Sequence, residues 1–305
     1  MYSYKPLEAK IKDLGLTKSS LTEKLGISSR TIAKMSKGEK IAAHVLRKIS
    51  FYLGCASSEL YFEICDNPIL QTLREEKEHK ISGGLYHELQ VRMTYNSSHM
   101  EGSTLSEDQT RLIFETETIC AGEGVKVNDI IETANHFRAV DYVIDKALSP
   151  LSEEFIKHLH LLLKQSTNDS NLSWFAVGNY KKRENTVGAE ATCPVDETEG
   201  KMHALLQEYS SKKEVDFTDI ASFHAEFESI HPFQDGNGRV GRLIILKECL
   251  RFGITPFFIE DSKKAFYYRG LQKWGEDKTG LIDACLDGQD SFNKLLAELG
   301  IKGRR

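Results

Sequence analysis

The sequence predicts an all-α protein with one small β-hairpin, in which a small helical domain precedes a larger one. Apolar residues recur at helical spacing through most of the chain. That pattern fails in one stretch, residues 178–195, which is punctuated by Gly and reaches a Pro near its end. The chain has 305 residues, 40% of them hydrophobic and 28% charged, which is ordinary for a globular protein with one large and one small domain.

The small domain is expected over residues 1–66. Helical spacing and serine caps predict helices near residues 7–14, 20–25, 27–35 and 44–53, with a brief fifth at 57–60. Gly26 supplies the turn between the second and third. Residues 1–48 hold eleven basic and four acidic side chains, a local charge of +7, whereas the whole chain carries −5 and the remainder therefore −12. A basic block on an acidic chain indicates a nucleic-acid-binding face.

Two short helices joined through Gly26, the second opening with small polar and basic residues, resemble the Cro/repressor-type helix-turn-helix family. The resemblance implies duplex DNA as a partner, with Lys37 and Lys40 near phosphates. The alternative is a helical protein-docking module with a solvated basic face. By this resemblance, the residues expected to face the major groove are Ser28, Ser29, Arg30, Thr31 and Lys34.

Residues 67–84 contain a charged run followed by two glycines, and they are expected to form a linker, partly helical, before the large domain at 85–305. Ser106 and Gln109 form a predicted capping box. His158 and His160 are expected to be packed or at the surface rather than metal ligands. Further helices are predicted near 85–101, 106–114, 127–148, 151–163, 196–210, 217–230 and 290–299.

The most informative stretch is residues 231–242, His-Pro-Phe-Gln-Asp-Gly-Asn-Gly-Arg-Val-Gly-Arg. Pro232 lacks an N–H and restricts the residue before it, so the preceding helix is expected to end here. A second helix follows, and its N-terminus favours anions. Gly236 and Gly238 permit positive φ, which would let backbone N–H groups converge into an anion-binding nest.

The charged side chains of this stretch suit phosphate chemistry. Arg239 and Arg242 lie three residues apart on one helical face, and guanidinium groups match phosphate oxygens. Asp235 is an oxygen ligand of the kind that Mg²⁺ prefers beside substrate phosphates. His231 titrates near neutrality and could take a proton from an attacking hydroxyl.

The pattern His-x-Phe-x-Asp-Gly-Asn-Gly-Arg-x-x-Arg resembles the signature of Fic-type (fido) nucleotidyltransferases, with every signature position filled. The resemblance covers roughly residues 84–300. It implies transfer of AMP from ATP to a Ser, Thr or Tyr of a target protein, with His231 as the base and Mg²⁺ on Asp235. The phosphates would meet Gly236, Asn237, Gly238, Arg239 and Arg242.

Ser97, Glu101 and Gly102 match the family's autoinhibitory motif, Ser/Thr-x-x-x-Glu-Gly/Asn. The resemblance implies that Glu101 pairs with Arg242 and denies this arginine to the γ-phosphate. The alternative is a glutamate at a helix end in water.

Two further assignments rest on the same resemblance. Tyr268 and Leu271 occupy the place of the family's adenosine-binding helix, with aromatic core packing as the alternative. The predicted hairpin corresponds to the family's flap, which binds the target's backbone as an added β-strand and so aligns it. Lys182 to Gly188 fit the position of the flap.

Other features exclude some classes of protein and leave others open. No apolar run is long enough to span a membrane, no signal-peptide pattern opens the chain, and the six cysteines are scattered, so a cytoplasmic protein with reduced thiols is expected. P-loop and dinucleotide fingerprints do not occur. Removal of AMP, use of another nucleotide, a nucleotide-sensing transcription regulator and a homodimer remain open.

Overall fold

The computed structural model describes residues 2–63, 67–120, 124–187 and 190–301, which divide into two compact units, 1–66 and 67–305. Helices dominate both units, so the predicted all-α fold class is confirmed. Among the described residues, no helix is long and apolar enough to cross a membrane.

The first unit is a cluster of four short helices around a small core. Thr17 and Ser20 form a capping box at the start of the second helix, and Gly26 ends it with φ 61°. Tyr2–Ser3 and Phe62–Glu63 form a short antiparallel pair, β1 and β2, that was not predicted. Leu21, Ile49 and Leu60 are fully buried. The helices are α1 (Lys5–Asp13), α2 (Lys18–Leu25), α3 (Ser29–Ser36) and α4 (Ala43–Leu53).

The second unit is a larger helical bundle with a small hairpin, formed by β3 (Thr186–Val187) and β4 (Glu190–Ala191). These strands pair in antiparallel register, Thr186 opposite Ala191. The helices are α5 (Pro68–His79), α6 (Leu85–Met100), α7 (Glu107–Thr116), α8 (Val127–Lys146), α9 (Glu153–Lys164), α10 (Val195–Ser211), α11 (Phe217–Ile230), α12 (Asn237–Phe252), α13 (Lys264–Gln272) and α14 (Thr279–Glu298).

Helix α12 is the centre of this bundle. It packs against α6, α8, α9 and α11, and every residue from Arg239 to Leu250 is buried. A helix surrounded in this way is buried on all sides, and here that includes charged side chains such as Arg239 and Arg242. The segment between α11 and α12 is therefore fixed from both ends by packed helices.

The predicted linker at 67–84 is wrong in character, because most of it is a packed helix. Asn67 caps α5, with its Oδ1 accepting from the N–H groups of Ile69 and Leu70, and its Nδ2 donates to Leu250 O at 2.8 Å. Ile69, Leu70 and Leu73 are buried. The many charged residues of this stretch obscured its apolar stripe, so the helix was not predicted to pack. The helix belongs to the second unit.

The predicted capping box at α7 is confirmed. Ser106 Oγ accepts from Gln109 N at 3.1 Å, and Gln109 Oε1 accepts from Ser106 N at 2.9 Å. These two bonds satisfy N–H groups that the first helical turn leaves without partners.

Candidate active site

His231 ends α11 in an unusual backbone conformation. Its φ is 51° and its ψ is 61°, and its N–H donates to Phe227 O at 3.0 Å. A left-handed conformation is uncommon outside Gly and is retained only where the surroundings enforce it. Burial lowers the pKa of His231, and nearby Lys181 lowers it further. The imidazole is therefore neutral near pH 7 and able to accept a proton.

The loop from His231 to Gly236, called the signature loop here, is braced by Asn237. Asn237 Oδ1 accepts from Phe233 N, and Asn237 Nδ2 donates to Phe233 O, both at 2.8 Å. The side chain of Asn237 is thus committed to the loop. Only its backbone N–H, in the first turn of α12, is left for a ligand.

The two glycines of the predicted nest have different roles. Gly236 has φ 82° and precedes α12, as expected for a nest. Gly238 lies within α12 and does not have positive φ, so that part of the prediction is wrong. A Cβ on Gly238 would overlap Glu101 Oε1 and lie 2.9 Å from Arg242 Nη1. Gly238 is therefore required for the close approach of Glu101 to α12.

His160 supports the signature loop from below. Its ring stacks on Phe233, with centroids 4.1 Å apart, and its Nδ1 accepts from Gly178 N at 2.9 Å. Nε2 must then carry the proton, which it donates to Asp235 O at 3.2 Å. Burial lowers the pKa of His160 to about 3, so the ring is a neutral support. Of the two placements expected for His160, packed or at the surface, the structure shows the packed one.

Arg242 is buried beneath the end of α6, where Ser97 and Glu101 meet it. Its Nε donates to Ser97 Oγ and its Nη2 to Ser97 O, each at 2.9 Å. Its Nη2 also pairs with Glu101 Oε1 at 2.6 Å. Burial opposes the charge of Arg242, but Glu101 more than compensates, and the pKa of Arg242 is raised. Gly102 follows with φ 90°, which lets the chain turn away from α6.

Asp235 and Arg239 form the other side of the site. Arg239 Nη2 contacts Asp235 Oδ2 at 3.2 Å, and Arg239 Nη1 pairs closely with Glu132. Asp235 Oδ2 also accepts from Lys164 Nζ at 2.6 Å. Burial alone would raise the pKa of Asp235, but Arg239 and Lys164 lower it, so the carboxylate is ionised.

Lys164, Glu132 and Asp169 were missed from the sequence. Lys164 Nζ lies 2.6 Å from Glu132 Oε1 and 2.8 Å from Asp169 Oδ2, in addition to its contact with Asp235. One signal was available, namely a lysine four residues after His160 on the apolar face of α9.

The two residues predicted to bind adenosine, Leu271 and Tyr268, lie in different environments, one against the core and one at the surface. Leu271 packs against the core cluster of the bundle, as in the core-packing alternative. Tyr267 is fully buried, and its hydroxyl lies 2.5 Å from His224 Nε2. Tyr268 is 41% exposed, and its hydroxyl donates to Met100 O at 3.2 Å, beside Glu101. Of these residues, only Tyr268 has an exposed ring near the signature residues.

A cavity of about 250 Å³ opens between the end of α6, the start of α8, the end of α9 and the signature loop. A larger cavity of about 510 Å³ lies between α13 and α14, and none of the predicted site residues lines it. The chemistry is therefore assigned to the smaller one. Its lining includes Glu101, Lys126, Glu132, Lys164, Asp235 and Arg239.

The donor set at this cavity fits a hard cation. Carboxylate oxygens of Glu132, Asp169 and Asp235 lie within 4.8 Å of one another. Lys164 and Arg239 both contact Oδ2 of Asp235, so Oδ1 is paired with neither. Asp235, whose side chain is 48% exposed, is the residue that could hold Mg²⁺ together with substrate phosphates.

In the first unit, the residues predicted to read DNA lie at the start of α3 and along it. Ser28 Oγ accepts from Thr31 N at 3.2 Å and contacts Thr31 Oγ1 at 2.9 Å, so both hydroxyls serve the helix cap. Ser29 and Arg30 are exposed, and Lys34 is half-buried. Within the described chain Arg30 has no ion-pair partner, which leaves its guanidinium available.

Comparison with known families agrees with these two units. The Fic/DOC family model matches residues 150–249, which include the signature loop. Residues 150–249, about a third of the chain, are thus similar to the Fic/DOC family. The model of the Cro/C1-type HTH DNA-binding domain matches residues 7–62, the helices of the first unit.

Relatives of the Fic domain include the protein adenylyltransferase Fic of Aedes aegypti, 27% identical over 192 residues, covering 61% of this chain and 37% of that protein. The protein adenylyltransferase Fic of Culex quinquefasciatus is 26% identical over 204 residues, covering 64% and 39%. The chain thus spans less than two fifths of these relatives.

Solved structures share the fold of the Fic domain. A Fic domain containing signaling protein from Bacteroides thetaiotaomicron aligns with a TM-score of 0.61 and 22% identity, over 78% of this chain and 99% of that one. A Fic family protein from Desulfovibrio desulfuricans aligns with a TM-score of 0.58 and 22% identity, over 78% and 76%.

Proposed function

We propose that the chain transfers AMP from ATP to a hydroxyl side chain of a target protein. The observation that carries this proposal is the placement of His231, Asp235 and the N-terminus of α12 around one short loop. A neutral base, a carboxylate and an anion-binding helix end are the groups that such a transfer needs. The relatives' name, protein adenylyltransferase, favours the same reaction.

In the proposed reaction the hydroxyl oxygen of the target attacks the α-phosphorus of ATP. His231 takes the hydroxyl proton as the new O–P bond forms, and the bond to the β-phosphate oxygen breaks to release pyrophosphate. Backbone N–H groups from Gly236 to Gly238 hold phosphate oxygens at the start of α12. Mg²⁺ on Asp235, when bound, would supply charge neutralisation for the phosphates. Positioning and electrostatic stabilisation carry most of such a transfer.

The described conformation is proposed to be autoinhibited. Arg242 can neutralise the γ-phosphate only when its guanidinium is free, and here Nη2 of that guanidinium already pairs with Glu101 Oε1 at 2.6 Å. Glu101 also brings negative charge to the site that a triphosphate must enter. Arg239, which pairs with Glu132 and Asp235, is proposed to contact the phosphates from the opposite side.

The hairpin is proposed to receive the target's backbone. Thr186 and Val187 are exposed, and β3 has β4 on one edge only. An exposed edge can accept an added strand. The described part of the predicted flap is residues 182–187, and Gly188 lies outside the described residues.

The test of the activity is transfer of labelled AMP from ATP to proteins of a cell lysate. His231→Ala is expected to reduce labelling by about 10²–10⁴-fold, the usual effect of losing a general base. ATP binding should be retained, because His231 acts on the nucleophile. His203→Ala, which alters a histidine with a 74% exposed side chain, is the matched control and should label normally.

Normal labelling by His231→Ala would remove this residue from the mechanism. Release of label from a modified target, without transfer from ATP, would instead identify the chain as an AMP-removing enzyme.

A second function, DNA binding, is proposed for the first unit, because residues 7–62 match a DNA-binding family and carry the basic block. Gel-shift binding should weaken steeply with salt, since the basic side chains displace phosphate counterions. Arg30→Ala should relax sequence preference, at a cost of about 1–3 kcal/mol, whereas Lys37→Ala should weaken all sequences alike. Absence of a shift at low salt would favour protein docking.

A cytoplasmic location is also proposed. The five described cysteines, Cys55, Cys120, Cys193, Cys249 and Cys285, are free thiols, as is usual in reducing compartments. Cys65 lies outside the described residues.

A further inference from the structure

Lys164 is the most completely enclosed charged side chain at the site. Its side chain is 1% exposed, and its Nζ lies within 2.8 Å of three carboxylates. They come from three separate places, namely Glu132 in α8, Asp169 beyond the end of α9, and Asp235 in the signature loop. A buried ammonium requires such partners, because leaving water is costly for an unpaired charge.

The three carboxylates are spaced like the ligands of a divalent ion. Their oxygens lie within 4.8 Å of one another, and Lys164 Nζ contacts one oxygen of each. The ammonium of Lys164 therefore occupies the position at which a hard cation would bind them together. With Arg239 also paired to Glu132 and Asp235, three negative charges face two positive ones.

We infer that Lys164 is the resident cation of this carboxylate cluster and keeps divalent ions out of it until a nucleotide is present. Lys164 holds Oδ2 of Asp235 and leaves Oδ1 for a metal that arrives with the substrate phosphates. Lys164 is therefore a positioning residue. This inference rests on the proposed function only for the nucleotide, because the exclusion of metal is a property of the cluster itself.

Removal of the ammonium should turn the cluster into a metal site. Three carboxylates would then face Arg239 alone, and the excess negative charge would rise from one to two. At separations of a few ångströms in a partly buried site, one such charge changes affinity by at least about tenfold. The gain should depend on Asp169, which contacts Lys164 but neither arginine of the signature.

The test is the binding of Mn²⁺ without nucleotide, followed by electron paramagnetic resonance and by the melting temperature. Wild type should show negligible binding and no thermal shift. Lys164→Met, which keeps the length and removes the charge, should bind Mn²⁺ at least about tenfold more tightly and melt higher when Mn²⁺ is added. Lys164→Arg should resemble wild type.

Two further variants make the test specific. Lys164→Met combined with Asp169→Asn should lose most of the gain. Lys157→Met removes another lysine of α9, one paired with Glu153 away from the cluster, and should not bind Mn²⁺.

The inference is overturned if Lys164→Met binds Mn²⁺ no better than wild type. It is also overturned if this variant fails to fold both with and without Mn²⁺, because a divalent ion should replace the missing ammonium. If Lys164→Met gains Mn²⁺ while no variant of the chain transfers AMP, the proposed activity fails and the role of Lys164 stands.

Discussion

Two buried cations flank the signature loop, and they are held in different ways. Arg242 meets one carboxylate, that of Glu101, whose side chain is 29% exposed at the end of α6. Its Nη1 is buried and has no hydrogen-bond partner among the described residues. Lys164 meets three carboxylates from separate segments and is 1% exposed. The carboxylate on Arg242 thus comes from one helix end, whereas those on Lys164 come from three separate segments, so releasing Lys164 requires more contacts to break.

The comparison first predicts a difference in stability. Lys164→Met should lower the free energy of unfolding by about 3 kcal/mol in metal-free buffer, because three closely spaced carboxylates lose the buried ammonium that they share. Glu101→Gln removes the carboxylate of buried Arg242 but keeps an amide oxygen for its Nη2 and leaves the two bonds to Ser97, so it should cost about 1–2 kcal/mol. Urea unfolding of the two variants beside wild type measures both quantities. Equal losses would mean that the two cations are held alike.

The contrast also predicts a difference in activity. Glu101→Gly should raise AMP transfer by about 100-fold, because a misdirected α-phosphorus costs roughly that factor in rate. Arg242→Ala should cancel the gain, since it removes the guanidinium that Glu101→Gly makes available to the γ-phosphate. Labelled-ATP transfer by wild type, each single variant and the double variant measures both effects.

Glu117→Gly is the matched control for this prediction. Glu117 also ends a helix, α7, but lies outside the site, and its φ of 56° suits glycine. It should leave transfer unchanged. Should Glu101→Gly be no faster than wild type on any substrate, including itself, Glu101 is structural or serves hydrolysis.

The features of the site that could be predicted from sequence are those set by local chemistry. Pro232 and Gly236 act on their own backbone, so the end of α11 and the turn into α12 follow from local chemistry. Ser97, Glu101 and Arg242 could be paired only because a family motif links them. Lys164 contacts Glu132 and Asp235 across 32 and 71 residues, and no local rule specifies such a meeting.

The same distinction applies to Gly236, which precedes α12, and Gly238, which lies within it. Positive φ at Gly236 is a local requirement of the turn. Gly238 is instead required by Glu101, which approaches α12 from a distant part of the chain. A glycine needed for close approach cannot be told from one needed for a turn without the partner in place.

The smallest predicted effect concerns His231, the first residue of the signature loop. Burial and the charge of Lys181 both lower its pKa below the ordinary 6.5, so the neutral base persists into mildly acidic solution. Transfer should be constant above neutral pH and fall as the pH drops through a midpoint below 6.5.

Lys181→Met removes a positive charge that opposes protonation of His231, so the midpoint should rise by a fraction of a pH unit while burial keeps it below 6.5. Lys181 also binds Asn185 and Thr192 at the base of the hairpin, so the rate itself can change for another reason. NMR titration of the His231 ring, identified by its absence in His231→Ala, reports the pKa directly, and Lys182→Met is the control for a lysine on the exposed side. An unchanged or lower pKa in Lys181→Met would mean that the charge of Lys181 does not reach His231 and that burial alone sets the base.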